Sequence, residues 1–369
     1  MYVHIPFCAA RCDYCDFATW TDRTHLVDDY VDACVADLHR WRSAGMAPVD
    51  TAFFGGGTPS LLPAETLLRI VDAIPRSPHA EVTVECNPDA VSLDQLMRLR
   101  ASSVTRLSIG VQSFAPHVLR ALGRTHNPAN VERAFSWARA AGFDHVSADL
   151  IYGTPGESDD DWRATLDATI ELEPDHLSCY ALTVEPATPL GRLVADGRRD
   201  PTDDDVQADR YTIADARLGA AGYQWYEISN WARPGGACRH NLAYWRGGDY
   251  LAIGCAAHGN LGGRRWWNVR TPERYIECIV SGRSPEAGGE VLDPARRAEE
   301  AWALALRTRE GASSSGIDAG LVADLADSDL VHRDDTRIVL TRRGRMLATD
   351  VTARLLNART LTSTSIGTR

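Results

Sequence analysis

Three cysteines fall within eight residues near the start of the chain, in the segment His4-Ile5-Pro6-Phe7-Cys8-Ala9-Ala10-Arg11-Cys12-Asp13-Tyr14-Cys15-Asp16-Phe17. The spacing is C-x3-C-x2-C. Thiolates crowded in this way are ligands for zinc or for an iron–sulfur cluster. Three of them can hold three irons of a cubane and leave the fourth iron open to a small molecule. A structural zinc would need a fourth ligand, such as Cys34 or a histidine, and zinc pairs usually come as two C-x2-C halves where only one is present. Cysteines also serve as small buried hydrophobes, but Arg11 and the two aspartates make this loop polar. Chance clustering is the bland alternative.

A second segment, Phe53-Phe54-Gly55-Gly56-Gly57-Thr58-Pro59, places three glycines where backbone amides can approach a ligand closely. Three glycines alone are equally a plain strand–helix turn. Glu85, in Val84-Glu85-Cys86-Asn87-Pro88, is by itself a solvated or capping residue.

The elements that must position these residues are legible as short apolar strands alternating with amphipathic helices. Strands are expected at Tyr2–Pro6, Thr51–Phe54, Glu81–Glu85, Arg106–Gly110, His145–Ile151 and His176–Leu182. Val27, Tyr30, Val31, Cys34, Val35, Leu38 and Trp41 share one helical face. Further helices are expected at Ala64–Ala73, Leu93–Ala101, Ala115–Leu122, Ala129–Ala141, Asp159–Glu171 and Asp203–Ala221. Such alternation implies a parallel sheet or barrel of about six units, short of a full eight. The unusual residues come just after the strands: Cys8, Gly55–Pro59, Asn87, Gln112 and Gly153. In β/α barrels chemistry gathers at that rim. From about Ser229 the texture changes, and residues 229–268 are rich in Gly, Trp, Asn and Arg without a strong period. Helices at 295–309 and 317–326, strands Leu330–His332 and Arg337–Thr341 around a turn at Asp334–Asp335, and a helix from Gly344 resemble a small winged-helix module. The end, Thr360–Arg369, is expected to fray. The expected division is 1–228, 229–294 and 295–369.

Composition excludes several functions. The 369 residues carry a formal charge of −11 from 50 acidic and 39 basic residues, a poor basis for non-specific nucleic-acid binding. Arg333, Arg337, Arg342, Arg343 and Arg345 form a local basic cluster, but shape alone does not make the C-terminal module a DNA reader. Every basic residue is arginine. Without lysine there is no Schiff-base pyridoxal enzyme, no P-loop lysine and no kinase lysine; codon bias is the simplest cause. Nine cysteines, an odd number, without an export signal argue against a disulfide framework. No apolar run approaches the roughly 20 residues of a membrane helix, and the chain is expected in the cytoplasm.

The cysteine spacing on a loop after the first strand resembles the radical S-adenosylmethionine superfamily. Tyr2-x-His4-Ile5-Pro6-Phe7-Cys8 is similar to its HemN-like, coproporphyrinogen-dehydrogenase-like group. The resemblance runs from Tyr2 to about Thr349, with motifs in family order. It implies an α/β fold: a partial (β/α)6 TIM-like barrel with a smaller C-terminal winged-helix-like α/β cap beside its mouth. It implies a [4Fe–4S] cluster on Cys8, Cys12 and Cys15, whose open iron binds the amino and carboxyl groups of S-adenosylmethionine; the reduced cluster cleaves the sulfonium to a 5′-deoxyadenosyl radical. The glycine loop, Gly56, Gly57 and Thr58, would contact the amino end. Tyr2, Tyr14, Glu85, Gln112 and Arg124 also match cofactor-binding positions, as do Asp149 and Ala181, the latter lining the adenine pocket. Arg124 suits a carboxylate and Asp149 a ribose hydroxyl.

Two features depart from the dehydrogenases of that group. They carry a further cysteine where this chain has Phe17, and a longer arm before the cysteine loop. Both departures resemble the group's haem-chaperone branch. The segment His240-Asn241-Leu242-Ala243-Tyr244-Trp245 matches that branch's H-N-x-x-Y-W motif. The resemblance implies haem as cargo, with His240 as an axial ligand and Tyr244 and Trp245 against a porphyrin face. Trp231, Trp266 and Trp267 add aromatic surface, and Arg233, Arg239 and Arg246 are candidates for propionates. Cys238 is a rival ligand, and the same residues equally form a satisfied buried network. The expected function is therefore binding haem and passing it to haem-accepting respiratory proteins. A reductant such as flavodoxin or ferredoxin and transient membrane-surface contact are expected, and no nucleic acid. No catalytic residue is assigned. The alternative is radical oxidative decarboxylation of coproporphyrinogen III to protoporphyrinogen IX.

Overall fold

The computed structural model describes residues 1–334 and 336–364, with side chains of the last helix described through Ala358. Asp335 of the expected C-terminal turn and residues 365–369 of the end expected to fray lie outside the described residues.

Six strands run parallel and pair in sequential order: β1 (Tyr2–Ile5), β2 (Val49–Gly56), β3 (Arg76–Cys86), β4 (Arg106–Gln112), β5 (His145–Tyr152) and β6 (His176–Ala181). Between them lie α1 (Val27–Ser43), α2 (Ala64–Ala73), α3 (Leu93–Ala101), α4 (Pro116–Ala121), α5 (Pro128–Ala140) and α6 (Asp159–Glu171). This is the α/β class expected, and strand order equal to chain order is barrel winding rather than a sheet that reverses at a switch point. Local chemistry explains the boundaries. On β1, Val3 and Ile5 are fully buried in the main core with Tyr30, Val31, Cys34 and Leu38 of α1. Tyr2 and His4 alternate to the other face, as a period of two requires. Ser158 and Asp161 close a reciprocal capping box at the start of α6.

After β6 come α7 (Pro189–Ala195) and α8 (Asp204–Ala220), then two antiparallel strands, β7 (Gln224–Glu227) and β8 (Asn230–Ala232), on the β6 edge. A short helix, α9 (Arg239–Trp245), leads to β9 (Ala252–Ile253), which pairs parallel with β1. The hydrogen-bonded order is β7-β8-β6-β5-β4-β3-β2-β1-β9. Among the described residues β7 and β9 do not pair, so the sheet is open at that seam. A second sheet holds β10 (His258–Leu261), β11 (Arg264–Asn268) and β12 (Glu286–Val291), with α10 (Pro272–Val280) between the last two. Residues 229–268, which show no strong period in sequence, are thus structured. Strands this short hold too few residues for alternation to show, and α9 is about two turns long.

The C-terminal part comprises α11 (Pro294–Leu306), β13 (Ala312–Ser313), α12 (Ala319–Asp327), β14 (Val331–Arg333), β15 (Arg337–Leu340), α13 (Arg342–Met346) and α14 (Ala348–Thr364). Its three-stranded sheet shares a separate apolar cluster built on Trp302, Leu306, Leu325, Ile338, Val351 and Leu355. Arg345 fastens it to the barrel: its guanidinium donates to both carboxylate oxygens of Asp215, at 3.0 and 2.8 Å, and lies over the Trp225 ring. Among the described residues no helix is long and apolar enough to cross a membrane.

Candidate functional site

The loop after β1 is tied down along its length by backbone bonds. The Cys8 N–H donates to the Trp20 carbonyl at 3.1 Å, the Asp13 N–H to Leu122 at 3.0 Å, and the Leu190 N–H to the Asp13 carbonyl at 2.9 Å. The glycine loop at the end of β2 is stitched alongside it. Gly57 N–H donates to the Ile5 carbonyl and Thr58 N–H to the Phe7 carbonyl, both at 2.8 Å. A Cβ on Gly57 would stand 2.7 Å from both of those carbonyl oxygens. Gly56 has a φ of +106°, and a Cβ there would meet the His4 ring at 2.3 Å. Two of the three glycines are therefore fixed by close approach of backbone and ring.

Side-chain donors reach two of the cysteine sulfurs. The Thr58 hydroxyl donates to Cys8 Sγ at 3.6 Å, and the Arg124 guanidinium to Cys12 Sγ at 3.5 Å. Arg124 also donates to the Gly110 carbonyl at 2.7 Å, while its Nε is buried without a partner. Gln112 sits at a bulge of β4 with φ +62°, its amide packed over Gly110 beside Arg124. Tyr14 packs on the apolar cluster of Val118, Leu122, Ile151, Leu182 and Leu190. Ala181 ends β6 opposite Tyr152. Cys8, Cys12, Cys15, Tyr14, Gly57 and Thr58 thus lie on the loops after β1 and β2, Gly56, Glu85, Gln112 and Ala181 at the ends of β2, β3, β4 and β6, Asp149 within β5, and Arg124 just after α4.

Two carboxylates face one another across this rim. Glu85 accepts the Gly56 N–H at 3.1 Å, and Asp149 accepts the Ser108 hydroxyl at 2.8 Å. Burial, and then the Asp149 charge, push the Glu85 carboxyl up to about 8. Burial also raises Asp149. A carboxyl whose folded pKa exceeds its ordinary value keeps a proton that the unfolded chain has lost. Its contribution to stability therefore falls as pH rises from about 4.5 to about 8 and stays low above. Glu85→Gln removes that penalty. Thermal unfolding without S-adenosylmethionine should show the variant matching the parent near pH 4.5 and exceeding it above pH 8. Equal melting at pH 8.5 and above would contradict this origin.

The donor set fits an iron–sulfur cluster better than a lone zinc. Cys34, the fourth ligand a zinc would call on, is fully buried on α1, and burial raises its thiol well above the usual range. No three His, Cys, Asp or Glu side chains among the described residues are placed to hold a single metal ion. A cubane asks instead for one thiolate on each of three irons. Arg124 and Thr58 supply donors to two of the three sulfurs.

The H-N-x-x-Y-W residues sit elsewhere. The His240 imidazole is 2% exposed. Its Nδ1 is 2.8 Å from the Thr51 hydroxyl and its Nε2 2.9 Å from the Tyr244 hydroxyl, so both ring nitrogens are engaged within the protein. Burial lowers it to about 3. It stacks on Phe53, which on its other neighbour stacks with Tyr2. Thr51 and Gly56 are separated by about 16 Å of strand, which puts His240 deep below the rim. Cys238 is buried with its sulfur 3.5 Å from Glu81. The Trp245 indole N–H is buried without a partner. Tyr244 reaches further, to a T-shaped contact with Tyr250, and both line a cavity of about 810 Å3 with Tyr2, His4 and Phe17.

Two residues that the sequence reading gave no role organise this arrangement. His4 joins Tyr2 to the cysteine loop, its Nδ1 3.1 Å from the Tyr2 hydroxyl and its Nε2 2.9 Å from the Ala18 carbonyl. Glu81 accepts the backbone N–H of His240 at 2.9 Å and of Arg239 at 3.2 Å, fixing the start of α9. His4 stands in the Tyr2-x-His4-Ile5-Pro6-Phe7-Cys8 motif and is a polar residue in an apolar strand, whereas Glu81 gave no signal.

Comparison with known proteins decides the family. Residues 2–169 match the radical SAM superfamily model. A Mycobacterium tuberculosis protein named Heme chaperone HemW is 45% identical over 368 residues, covering 96% of this chain and 94% of that one. The chain belongs to the HemW family of the radical SAM superfamily. A Bacillus subtilis HemW is 34% identical over 95% of this chain and 97% of its own length. Among solved structures, Escherichia coli coproporphyrinogen III oxidase (HemN), described as a radical SAM enzyme, superposes with a TM-score of 0.82 at 26% identity, over 95% of this chain and 88% of that one. Radical SAM membership implies a [4Fe–4S] cluster and S-adenosylmethionine.

Proposed function

We propose that this HemW-family chain is a haem chaperone. It holds a [4Fe–4S] cluster on Cys8, Cys12 and Cys15, binds S-adenosylmethionine along the strand-end rim, and receives haem for delivery to haem-dependent respiratory proteins. The observation that carries this reading is near full-length similarity to proteins named Heme chaperone HemW, up to 45% identical. The cluster, when bound, supplies an open iron and an electron. The chain's own residues do the rest. Arg124 pairs with the cofactor carboxylate. Glu85 accepts from its amino end, with Gly56, Gly57 and Thr58 of the glycine loop alongside, and Asp149 accepts from its ribose. Tyr2, its hydroxyl 3.1 Å from His4 Nδ1, lines the large cavity with His4 and completes the set of cofactor-binding residues. That cavity, bordered by Asp16, Phe17 and Ala18 of the cysteine loop and by Tyr244, is the place for cargo. Residues 1–228 then serve as the cofactor core, 229–294 as the haem-facing connection and 295–369 as the C-terminal domain. The setting is the cytoplasm, with flavodoxin or ferredoxin as reductant and brief contact with a membrane surface at delivery.

The fold shared with HemN favours one second reading, radical oxidative decarboxylation of coproporphyrinogen III. Phe17, at the position of the dehydrogenases' additional cysteine, argues against it. Haemin titration of the anaerobically reconstituted chain, followed in the Soret region, should saturate at one haem per chain. Incubation with coproporphyrinogen III, reductant and S-adenosylmethionine should yield no protoporphyrinogen IX. Cofactor-dependent protoporphyrinogen formation would overturn the chaperone reading.

A further inference from the structure

The segment Gly123-Arg124-Thr125-His126 joins α4 to α5 and runs against the cysteine loop. The Leu122 carbonyl before it receives the Asp13 N–H at 3.0 Å. A Cβ on Gly123, whose φ is +69°, would stand 2.7 Å from the Asp13 backbone nitrogen, so the approach needs glycine. Arg124 then spends its two terminal nitrogens on Cys12 Sγ and on the Gly110 carbonyl, while its Nε–H is buried without an acceptor. Two residues on, His126 is 5% exposed, and both of its ring nitrogens are buried without a hydrogen-bond partner. The Val111 carbonyl acts on the ring from outside hydrogen-bond geometry, and it already accepts the Ser113 N–H at 2.8 Å beside the β4 bulge. Asp89, the carboxylate whose charge reaches the ring, is exposed and accepts from Asn130 Nδ2 at 2.6 Å. Burial, and then the Arg124 charge, lower the imidazole to about 4, so it is neutral and one of its nitrogens is an acceptor. Buried polar groups are almost always paired, and leaving one unpaired costs stability. A position that served packing alone would be better filled by an apolar side chain of the same size.

We infer that His126 is a positioning residue for S-adenosylmethionine: its neutral ring accepts the Arg124 Nε–H and leaves the terminal guanidinium nitrogens to the cofactor's carboxylate. This rests on the reading of Arg124 as the carboxylate's partner. A guanidinium presents its donors in a fixed planar fork. When one edge turns to a carboxylate, the nitrogens on that edge are satisfied by two parallel bonds. The Nε–H then needs an acceptor of its own, or the buried charge carries an unpaired donor. Among the side chains around Arg124, Cys12 is given to the cluster and Asp89 to Asn130. His126 is the neighbour with acceptor capacity unused, and Arg124 Nε is the neighbour with a donor unused. The two gaps answer each other.

The test is equilibrium dialysis of S-adenosylmethionine against the full chain, its cluster reconstituted and left oxidised so that the ligand is not cleaved. Parent, His126→Leu, His126→Gln, Arg124→Ala and the double variant Arg124→Ala with His126→Leu are compared, each checked for iron and sulfide content. His126→Leu should bind about tenfold more weakly, the scale of one hydrogen bond to a charged group. His126→Gln, which keeps an acceptor, should recover most of that loss. In the Arg124→Ala background His126→Leu should cost nothing further, because residues that act as one unit are not additive. The thermal transition of His126→Leu without ligand should match or exceed the parent's, since the variant buries no unpaired nitrogen. A His126→Leu variant that binds as tightly as the parent, loses the same factor with or without Arg124, or melts well below the parent overturns the assignment while the cofactor reading stands. A parent that shows no saturable binding sinks the cofactor reading, and this assignment with it.

Discussion

Glu81→Ala is expected to lower the unfolding free energy by about 3–5 kcal/mol, the cost of stripping one partner from a buried ion pair. Glu81 is 8% exposed, and its carboxylate lies 3.7 Å from the guanidinium of Arg106, itself 1% exposed. Arg106 also donates to the Ser147 hydroxyl and the Gly236 carbonyl. Those bonds would persist in the variant, but the charge would have no counter-ion in a low-dielectric interior. At the same time the first N–H groups of α9 would lose their acceptor. Glu81→Gln keeps an acceptor and should cost less. Urea unfolding of parent and variants checks both. A loss of about 1 kcal/mol or less for Glu81→Ala, the size of an exposed pair, would contradict the picture. Because Glu81 holds α9 to β3, and α9 carries Tyr244 to the cavity wall, the alanine variant should also bind haem more weakly in proportion to its unfolded fraction.

The alternation of β1–β6 with α1–α6 was legible because each strand is a short apolar run and each helix carries one apolar face. The rim was legible for the same reason: Cys8, Gly55 and Gln112 stand just beyond runs whose ends are clear. What could not be read depends on partners far away in sequence. The His240 motif, taken as a ligand, is embedded by Thr51, 189 positions away, and by Glu81, 159 positions away. No spacing reveals that both imidazole nitrogens are already engaged. The strands between 224 and 268 are two to five residues long, too short to display a period.

Replacing Cys8, Cys12 or Cys15 by serine should abolish cluster assembly, whereas replacing Cys86 or Cys179 by alanine should leave it intact. The six other cysteines cannot stand in. Cys34, Cys86, Cys179, Cys238 and Cys255 are buried, and burial raises every one of their thiols, Cys86, Cys238 and Cys255 to about 12. Cys278 lies on α10, beyond the hydrogen-bonded loop that gathers the three. Burial also raises Cys8, and Cys15 to about 11. Ligation supplies the missing drive to ionise, since a coordinating thiol is deprotonated outright. The loop that carries them is polar and held by its backbone, through Cys8 to Trp20 and Asp13 to Leu122 and Leu190. Serine should therefore preserve the fold while removing the ligand. Iron and acid-labile sulfide content, with the visible charge-transfer absorbance, should drop to background in each serine variant, and the thermal transition of the metal-free proteins should stay within a few degrees of the parent. A serine variant that retains the full iron and sulfide content would remove that cysteine from the cluster.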